Sequence, residues 1–533
     1  MDDDDDHDDD EFKPRIQKPR PDNETVWQLL VENPLEKPLE DTDDDDDDDD
    51  DSLMMVHQDT KHLQGIAVRL AIAIRLLFNH HHNHNNTAMA IMITASDHEA
   101  SYNGFRLIMM DRQGHGPTVQ FPTIDRTTTI RHLLTLPTAH DVYHYYRQQL
   151  NLENENDTAY TSTTDRCRHV HLGRDTRPSS EFLANLLSKT IQATGCTVLY
   201  YRDELPTPCL RYCFLLQQQQ RTYETTTTND YYQYLAQSYV NLITMTTTTS
   251  SSSSLLPTDS LLVDCACGVG YMALRQLVYH LQQLQCMRRI VATNRIGSHL
   301  NTHCGAMYVS STGQPPTWYN TPPIGKTSCA SLAGDAEWVV LFSETETTDD
   351  GTSMCRVWTS LDILVLIAEF ILSVPDKQLL VVNNNKKKES KTMPNLAIVV
   401  STEQQAHVLQ TQTRLATGYI ILVQTTSISQ DFILQSSFDV TFQLFANGRL
   451  TTHCQESFRN RCRESLSSSS PSLSTVTTTT TTTSNDISLH RLNMIPPLLV
   501  DYPDGLAILL LVDALLHVQG LVRYTDWKQM RVS

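Results

Sequence analysis

A serine placed where an apolar run gives way to a polar turn has the residue type and setting of a nucleophile. Ile91-Met92-Ile93-Thr94-Ala95-Ser96 ends in this way, and the turn closes at Asn103-Gly104. The geometry presents a hydroxyl at the end of a strand. Ser in a turn is equally a plain turn residue, and that reading stands beside the first. Three other segments carry compatible chemistry. Gly173-Arg174-Asp175-Thr176-Arg177-Pro178-Ser179 sets two guanidinium groups around a carboxylate, which by itself reads as a salt-bridged turn. Ala333-Gly334-Asp335-Ala336-Glu337-Trp338 sets two carboxylates on alternate residues of a small loop before an apolar strand. Ala446-Asn447-Gly448 reads by itself as an Asn-Gly hairpin turn.

The elements needed to position these groups follow from apolar periodicity. Val170-His171-Leu172 reads as a strand. Phe182, Leu183, Leu186, Leu187 and Ile191 then fall at helical spacing, Gly195 caps the helix, and Thr197–Tyr201 is the next strand. A second unit runs from the strand Leu261–Asp264 through Gly268-Val269-Gly270 to a helix over Ala273–Leu284 and the strand Ile290–Thr293, and an apolar strand at Trp338–Phe342 follows. Serial βαβ units predict an α/β chain of parallel or mixed sheets with its chemistry on loops at strand ends. The Gly268-Val269-Gly270 loop lacks the third glycine and the acidic ribose partner of a dinucleotide fingerprint.

Composition bounds the partners. The chain has 533 residues, 40% hydrophobic and 7% aromatic, enough for several ordinary cores. Its net charge of -21 is uneven: residues 1–51 hold 24 acidic and 5 basic residues, which leaves about -2 for the remainder. A body without a basic face predicts no nucleic-acid partner. No apolar run reaches the length that spans a bilayer. The nearest, Leu506–Leu516, carries Asp513 and reads as a buried helix, so no membrane role is expected. The absence of a signal-like N-terminus and the twelve scattered cysteines, with no CxxC pair, read as cytoplasmic. The acidic stretch 1–51 reads as a disordered tail. Tracts at Asn79–Asn86, Thr246–Ser254, Asn383–Lys388 and Ser467–Ser484 read as loop expansions, the His80–His84 tract being a solvated loop or an adventitious metal binder.

The serine turn, the GRDTRPSS stretch, Val263-Asp264 before its CxCGxG turn, Asn301 with Cys304-Gly305-Ala306, the Gly334-Asp335-Ala336 turn and Ala446-Asn447-Gly448 occur in an order that resembles the α-D-phosphohexomutase superfamily. The resemblance is closest to its phosphoacetylglucosamine mutase branch, and it runs from about Lys61 to the end of the chain. It implies domains of mixed sheets around a cleft: a serine-loop domain over 52–245, a metal-loop domain over 255–375, and a sugar-loop domain over 390–533 with a terminal helix at 505–516. The family's fourth, phosphate-binding domain is expected to be missing. The implied function is interconversion of N-acetylglucosamine 6-phosphate and 1-phosphate through a phosphoserine, toward UDP-N-acetylglucosamine, with a phosphorylated amino sugar as partner.

Carried over by position, Ser96 is the phosphoryl carrier and a metal ligand, and Arg174 and Arg177 buttress its loop. Asp335 and Glu337 face Mg²⁺, and Asn447 and Gly448 lie at the sugar. The chain departs from the family in several places. The serine motif TASHNPxxDNG reads here as Thr94-Ala95-Ser96-Asp97-His98-Glu99-Ala100-Ser101-Tyr102-Asn103-Gly104. The metal loop DGDADR has Ala333 in place of its first ligand, and the sugar loop EANGHGT has Phe445 in place of its acid. These losses predict a weak or absent Mg²⁺ site. They leave two functional readings, a working mutase and a catalytically inactive homologue.

Overall fold

The computed structural model describes residues 13–35, 53–80, 88–110, 123–150, 169–220, 227–244, 260–286, 288–318, 328–347, 353–372, 396–400, 405, 419–423, 439–444, 450–454, 498–499, 502–518 and 521. By internal contacts the chain divides into two compact units. One is Met1–Tyr231 with Ile296–Asn301, and the other is Tyr232–Arg295 with Thr302–Ser533.

The first unit is built on a six-stranded mixed sheet of β1 (Arg15–Gln17), β2 (Leu53–His57), β3 (Ala88–Ile93), β4 (Asn103–Met110), β5 (His169–Arg174) and β6 (Thr197–Glu204), in the order β1-β6-β5-β3-β4-β2. Strands β3, β5 and β6 are parallel, whereas β1, β2 and β4 pair antiparallel to their neighbours. Its helices are α1 (Asn23–Glu32), α2 (Thr60–His80), α3 (Thr123–Thr135), α4 (Ala139–Gln149), α5 (Ser180–Ala193) and α6 (Thr207–Gln220); α7 (Thr228–Thr244) follows. Helices cover both faces, and β5 is buried on both. Val170 and Leu172 join the core with α2 and α5, while His171 between them meets Phe214 of α6.

The expectation of a disordered tail over 1–51 is corrected for residues 13–35. Asp22 caps α1 by accepting from the amides of Glu24 and Thr25, and Val26, Leu29, Leu30 and Leu35 are buried. The amides of Arg20 and Asp22 also donate to Gln192 and Ala193 at the end of α5, at 2.9 and 3.0 Å. Counting charge over 51 residues averaged this short amphipathic helix into its acidic flanks.

The second unit holds two sheets. The first is β11-β10-β9-β7-β8, made from β7 (Leu261–Asp264), β8 (Ile290–Thr293), β9 (Ser328–Leu332), β10 (Val339–Thr347) and β11 (Ser353–Trp358). The second is β13-β12-β14-β15, from β12 (Leu396–Val400), β13 (Tyr419–Val423), β14 (Val440–Leu444) and β15 (Leu450–Cys454). Its other helices are α8 (Gly270–Gln283), α9 (Ala306–Thr312), α10 (Ser360–Leu372) and α11 (Gly505–Val518). Helix α11 is buried from Gly505 to Leu516, as its unbroken apolar run requires. None of the described helices is long and apolar enough to cross a membrane. The low-complexity tracts lie almost wholly outside the described residues.

Burial within β5 gives the first testable consequence. His169 and His171 are 7% and 0% exposed, and burial lowers their pKa values to about 4 and about 3, with the neighbouring His169 adding to the shift of His171. The unfolded chain protonates each near 6.5, so neutral burial contributes stability above that pH, and the contribution is lost as pH falls toward the folded values. Between pH 6 and 4 each histidine is expected to lower the unfolding free energy by about 1.4 kcal/mol per pH unit. Urea titrations of the wild type and His171→Phe should therefore diverge in pH slope by that amount. Parallel slopes would refute the assignment.

Candidate active site

The serine loop leaves β3 after Ile93 and returns at Asn103. Its base is closed by the amide of Thr94, which donates to the carbonyl of Gly104 at 3.1 Å. Gly104 has to be glycine here, since a Cβ would stand 2.1 Å from the carbonyl oxygen of Met55 on the paired strand. At the tip, the amide of Ser96 donates to Thr94 Oγ1 at 2.9 Å, and the amide of His98 donates to the carbonyl of Ala95 at 3.0 Å. These bonds hold Ser96 in the left-handed region with φ of 44°, a conformation that costs a non-glycine residue about 1–2 kcal/mol. Ser96 is 2% exposed, and its Oγ has no hydrogen-bond partner among the described residues. A buried hydroxyl left uncommitted on a strained turn is unfavourable for folding alone, and such atoms call for a functional reason.

The adjacent strand end supplies the brace. The amide of Asp175 donates to the carbonyl of Ile93 at 3.0 Å, which sets the β5 turn beside the serine loop. Asp175 is fully buried and forms an ion pair with Arg177; it also accepts from the Arg177 amide at 3.1 Å and from Ser180 Oγ at 2.7 Å. The Arg177 guanidinium then reaches across to the serine loop, where Nη2 donates to the carbonyls of His98 at 2.7 Å and Ser96 at 3.4 Å. Its Nε and the Thr176 hydroxyl are buried without partners among the described residues. Asn103 Nδ2 donates to Ser179 Oγ and Ser180 Oγ, both at 2.9 Å, which ties the far end of the loop to the start of α5.

The two arginines expected to act together part company. Arg174 pairs with Glu204 at 2.6 Å and donates to the carbonyl of Arg202 at 3.0 Å, so its charge is spent along β6 and Arg177 alone carries the brace. The sequence names Asn301 as part of a motif without giving it a role; its Nδ2 donates to the carbonyls of Ser96 and His98 at 2.7 Å each. Its place in the Asn301-Cys304-Gly305-Ala306 motif was the only signal available.

In the second unit, Asp335 and Glu337 sit in the turn between β9 and β10, closed by the amide of Ala333 donating to the carbonyl of Trp338 at 3.1 Å. Both carboxylates are buried, and Asp335 Oδ1 accepts from the amide of Glu337 at 3.2 Å. The turn lies hard against Gly268, where a Cβ would stand 2.2 Å from the carbonyl oxygen of Gly334. Nearby, Asp264 ties together the ends of β7, β8 and β9 by accepting from the amides of Ala266 and Gly305, from Asn294 Nδ2 and from Ser331 Oγ, at 2.6–2.9 Å. Burial raises its pKa, and these four donors oppose the shift.

Mg²⁺ needs a near-octahedral set of oxygens at about 2.1 Å. Position 333 offers a methyl group, and no group of three His, Cys, Asp or Glu side chains able to hold a metal ion occurs among the described residues. The donors present on this turn therefore do not fit the ion. Asn447 and Gly448 lie outside the described residues.

With this geometry in hand, the comparisons agree with one another. Residues 158–217, which contain the GRDTR turn, match the family model for the phosphoglucomutase/phosphomannomutase alpha/beta/alpha domain I. Phosphoacetylglucosamine mutase of Homo sapiens is 27% identical over 173 residues, 32% of this chain and 30% of that protein. Phosphoacetylglucosamine mutase 1 of Schizosaccharomyces pombe is 26% identical over 255 residues, 48% of this chain and 45% of that protein. The chain thus matches less than half the length of these curated relatives. Among solved structures, an Aspergillus fumigatus N-acetylphosphoglucosamine mutase superposes with a TM-score of 0.66 at 19% identity, covering 94% of this chain and 81% of the other. The same fungal enzyme in complex with GlcNAc-6P and magnesium superposes at 0.61 with 22% identity, covering 86% and 77%. Over part of its sequence, and over most of its fold, this chain is similar to phosphoacetylglucosamine mutases.

Proposed function

We propose that the chain is a phosphosugar mutase that interconverts N-acetylglucosamine 6-phosphate and 1-phosphate with Ser96 as the phosphoryl carrier. The observation that carries this reading is the buried Ser96 Oγ, without a partner among the described residues, on a left-handed turn braced by Arg177. The fungal relative's complex with GlcNAc-6P supports an amino sugar as the substrate class. In the forward half-reaction the phosphoserine P–O bond breaks, the phosphoryl group bonds to the sugar O1, and the O1 proton ends on Ser96 Oγ. After the bisphosphate reorients, the O6–P bond breaks, that phosphoryl group bonds to Ser96 Oγ, and the Oγ proton passes to O6. Phosphoryl transfer depends mostly on positioning and on charge stabilisation. Arg177 supplies both, through its hold on the loop and its buried positive charge, and its Nε, which has no partner among the described residues, is a donor for a phosphoryl oxygen. The compartment proposed is the cytoplasm, consistent with ten described cysteines that are all free.

One observation favours a second reading. The methyl group of Ala333 replaces an oxygen donor on the turn that should face the metal, which favours an inactive homologue that keeps the scaffold without turnover. A coupled assay with N-acetylglucosamine 6-phosphate, Mg²⁺ and a catalytic amount of glucose 1,6-bisphosphate separates the two. Under the mutase reading, product forms and Ser96→Ala loses it by at least 10⁴-fold, on the order of removing a covalent nucleophile. Folded wild-type protein that performs no better than Ser96→Ala would establish the inactive homologue.

A further inference from the structure

The tip of the serine loop is gripped twice. Ser96 O and His98 O both point at Arg177, and both also accept from a single nitrogen, Asn301 Nδ2, at 2.7 Å. A primary amide nitrogen carries two hydrogens, so each carbonyl receives one, and the fork fixes the separation between residues 96 and 98. That separation is set by the backbone dihedrals of Asp97 and His98, so the fork fixes the peptide plane that follows Ser96 and steadies the turn that carries its side chain. Asn301 is committed to this geometry in its own backbone. Its φ is 56°, in the left-handed region, and His303 two residues on has a φ of 51°. Asn tolerates that region better than most residues, because its short polar side chain bonds locally. Here, however, the amide reaches 205 residues back along the chain. Residues Ile296–Asn301 belong by contact to the first unit although the chain on either side belongs to the second.

We infer that Asn301 is a positioning residue for Ser96, holding the 96–98 carbonyls so that the serine oxygen faces the reacting phosphoryl group. The inference rests on the function proposed above for its catalytic meaning. Its structural content stands on the fork alone. Arg177 cannot replace Asn301, because its contact with Ser96 O is 3.4 Å and its charge is shared with buried Asp175.

The experiment compares the full-length chain with Asn301→Ala and with Asn301→Asp, which keeps the shape but turns the donor into an acceptor. Two measurements are made. The first is amide hydrogen exchange over residues 94–104, where the amides of His98 and Tyr102 donate within the loop at 3.0 Å. Exchange there is expected to quicken at least tenfold in both variants while exchange in β5 and α5 is unchanged. The second is phosphorylation of Ser96 by glucose 1,6-bisphosphate, followed by intact mass. The maximal rate is expected to fall 10- to 100-fold, as for a reacting group misplaced by about an ångström, with the half-saturating bisphosphate concentration moving less than twofold. Unchanged loop exchange overturns the inference whether or not the protein is phosphorylated. Quickened exchange with an unchanged phosphorylation rate overturns it too, since the fork would then be structural only. A wild type that takes up no phosphoryl group refutes the mutase reading, and the exchange measurement then decides the fork by itself.

Discussion

Asp513→Ala is expected to lower the unfolding free energy by about 3–5 kcal/mol, the usual cost of deleting one partner of a buried ion pair. Asp513 is 6% exposed on the otherwise apolar helix α11, and Arg288, just before β8, is 5% exposed. Arg288 addresses it with two nitrogens, Nε at 3.0 Å and Nη2 at 2.7 Å, and Tyr239 of α7 donates its hydroxyl at 2.7 Å. Burial holds the Tyr239 hydroxyl well above its ordinary pKa, and the carboxylate adds to the shift, so the phenol remains a donor. Alanine would leave a guanidinium and a phenol buried without their carboxylate. The double variant Asp513→Leu with Arg288→Met removes both charges together and is expected to regain most of the loss, because apolar residues of similar volume commonly match a buried pair. Urea unfolding of the three proteins decides the matter. A loss under about 1 kcal/mol in Asp513→Ala would mean that the pair is solvated and does not hold α11 in place.

That ion pair also marks how far the sequence could be read. The run Leu506–Leu516 required a buried helix, and the helix is there, but nothing local identified the partner of its single carboxylate. The strands Leu261–Asp264 and Ile290–Thr293 coincide with β7 and β8, because both are short, mostly apolar runs bounded by turns, although only β7 is buried throughout and the edge strand β8 is half-buried. Helix α5 was likewise readable from Leu183, Leu187 and Ile191 at helical spacing. Local pattern failed where the decisive contact was long-range. Helix α1 could not be separated from its acidic flanks, since Val26, Leu29 and Leu30 earn their burial only against the rest of the first unit. The antiparallel β9–β10–β11 ladder was invisible for the same reason, as only the Trp338–Phe342 run announced it. In the site, Ser96 and Asp175 with Arg177 could be found by motif. The different duties of Arg174 and Arg177 could not, because they depend on the placement of Glu204 and of the His98 carbonyl.

Arg177→Met is expected to act on stability and chemistry together, and Arg177→Lys to separate them. Methionine matches much of the arginine volume but leaves Asp175, which is fully buried, without its cation, at a cost of about 3–5 kcal/mol. It also releases the carbonyls of Ser96 and His98 on one side, so Asn301 alone would hold the loop tip. Lysine restores the charge beside Asp175 but is a single point donor. It cannot reach the carboxylate and the two carbonyls at once as the planar fork does. Arg177→Lys should therefore recover most of the stability lost in Arg177→Met while uptake of a phosphoryl group at Ser96 stays depressed by roughly 10²-fold, the penalty of an ill-placed nucleophile. Denaturant unfolding and intact-mass phosphorylation, run on the same two variants, read the two effects independently. If Arg177→Lys took up phosphate at the wild-type rate, charge alone would suffice at this position and the forked hold on the serine loop would be refuted. If it were as unstable as Arg177→Met, the ion pair with Asp175 would depend on guanidinium geometry and not on charge.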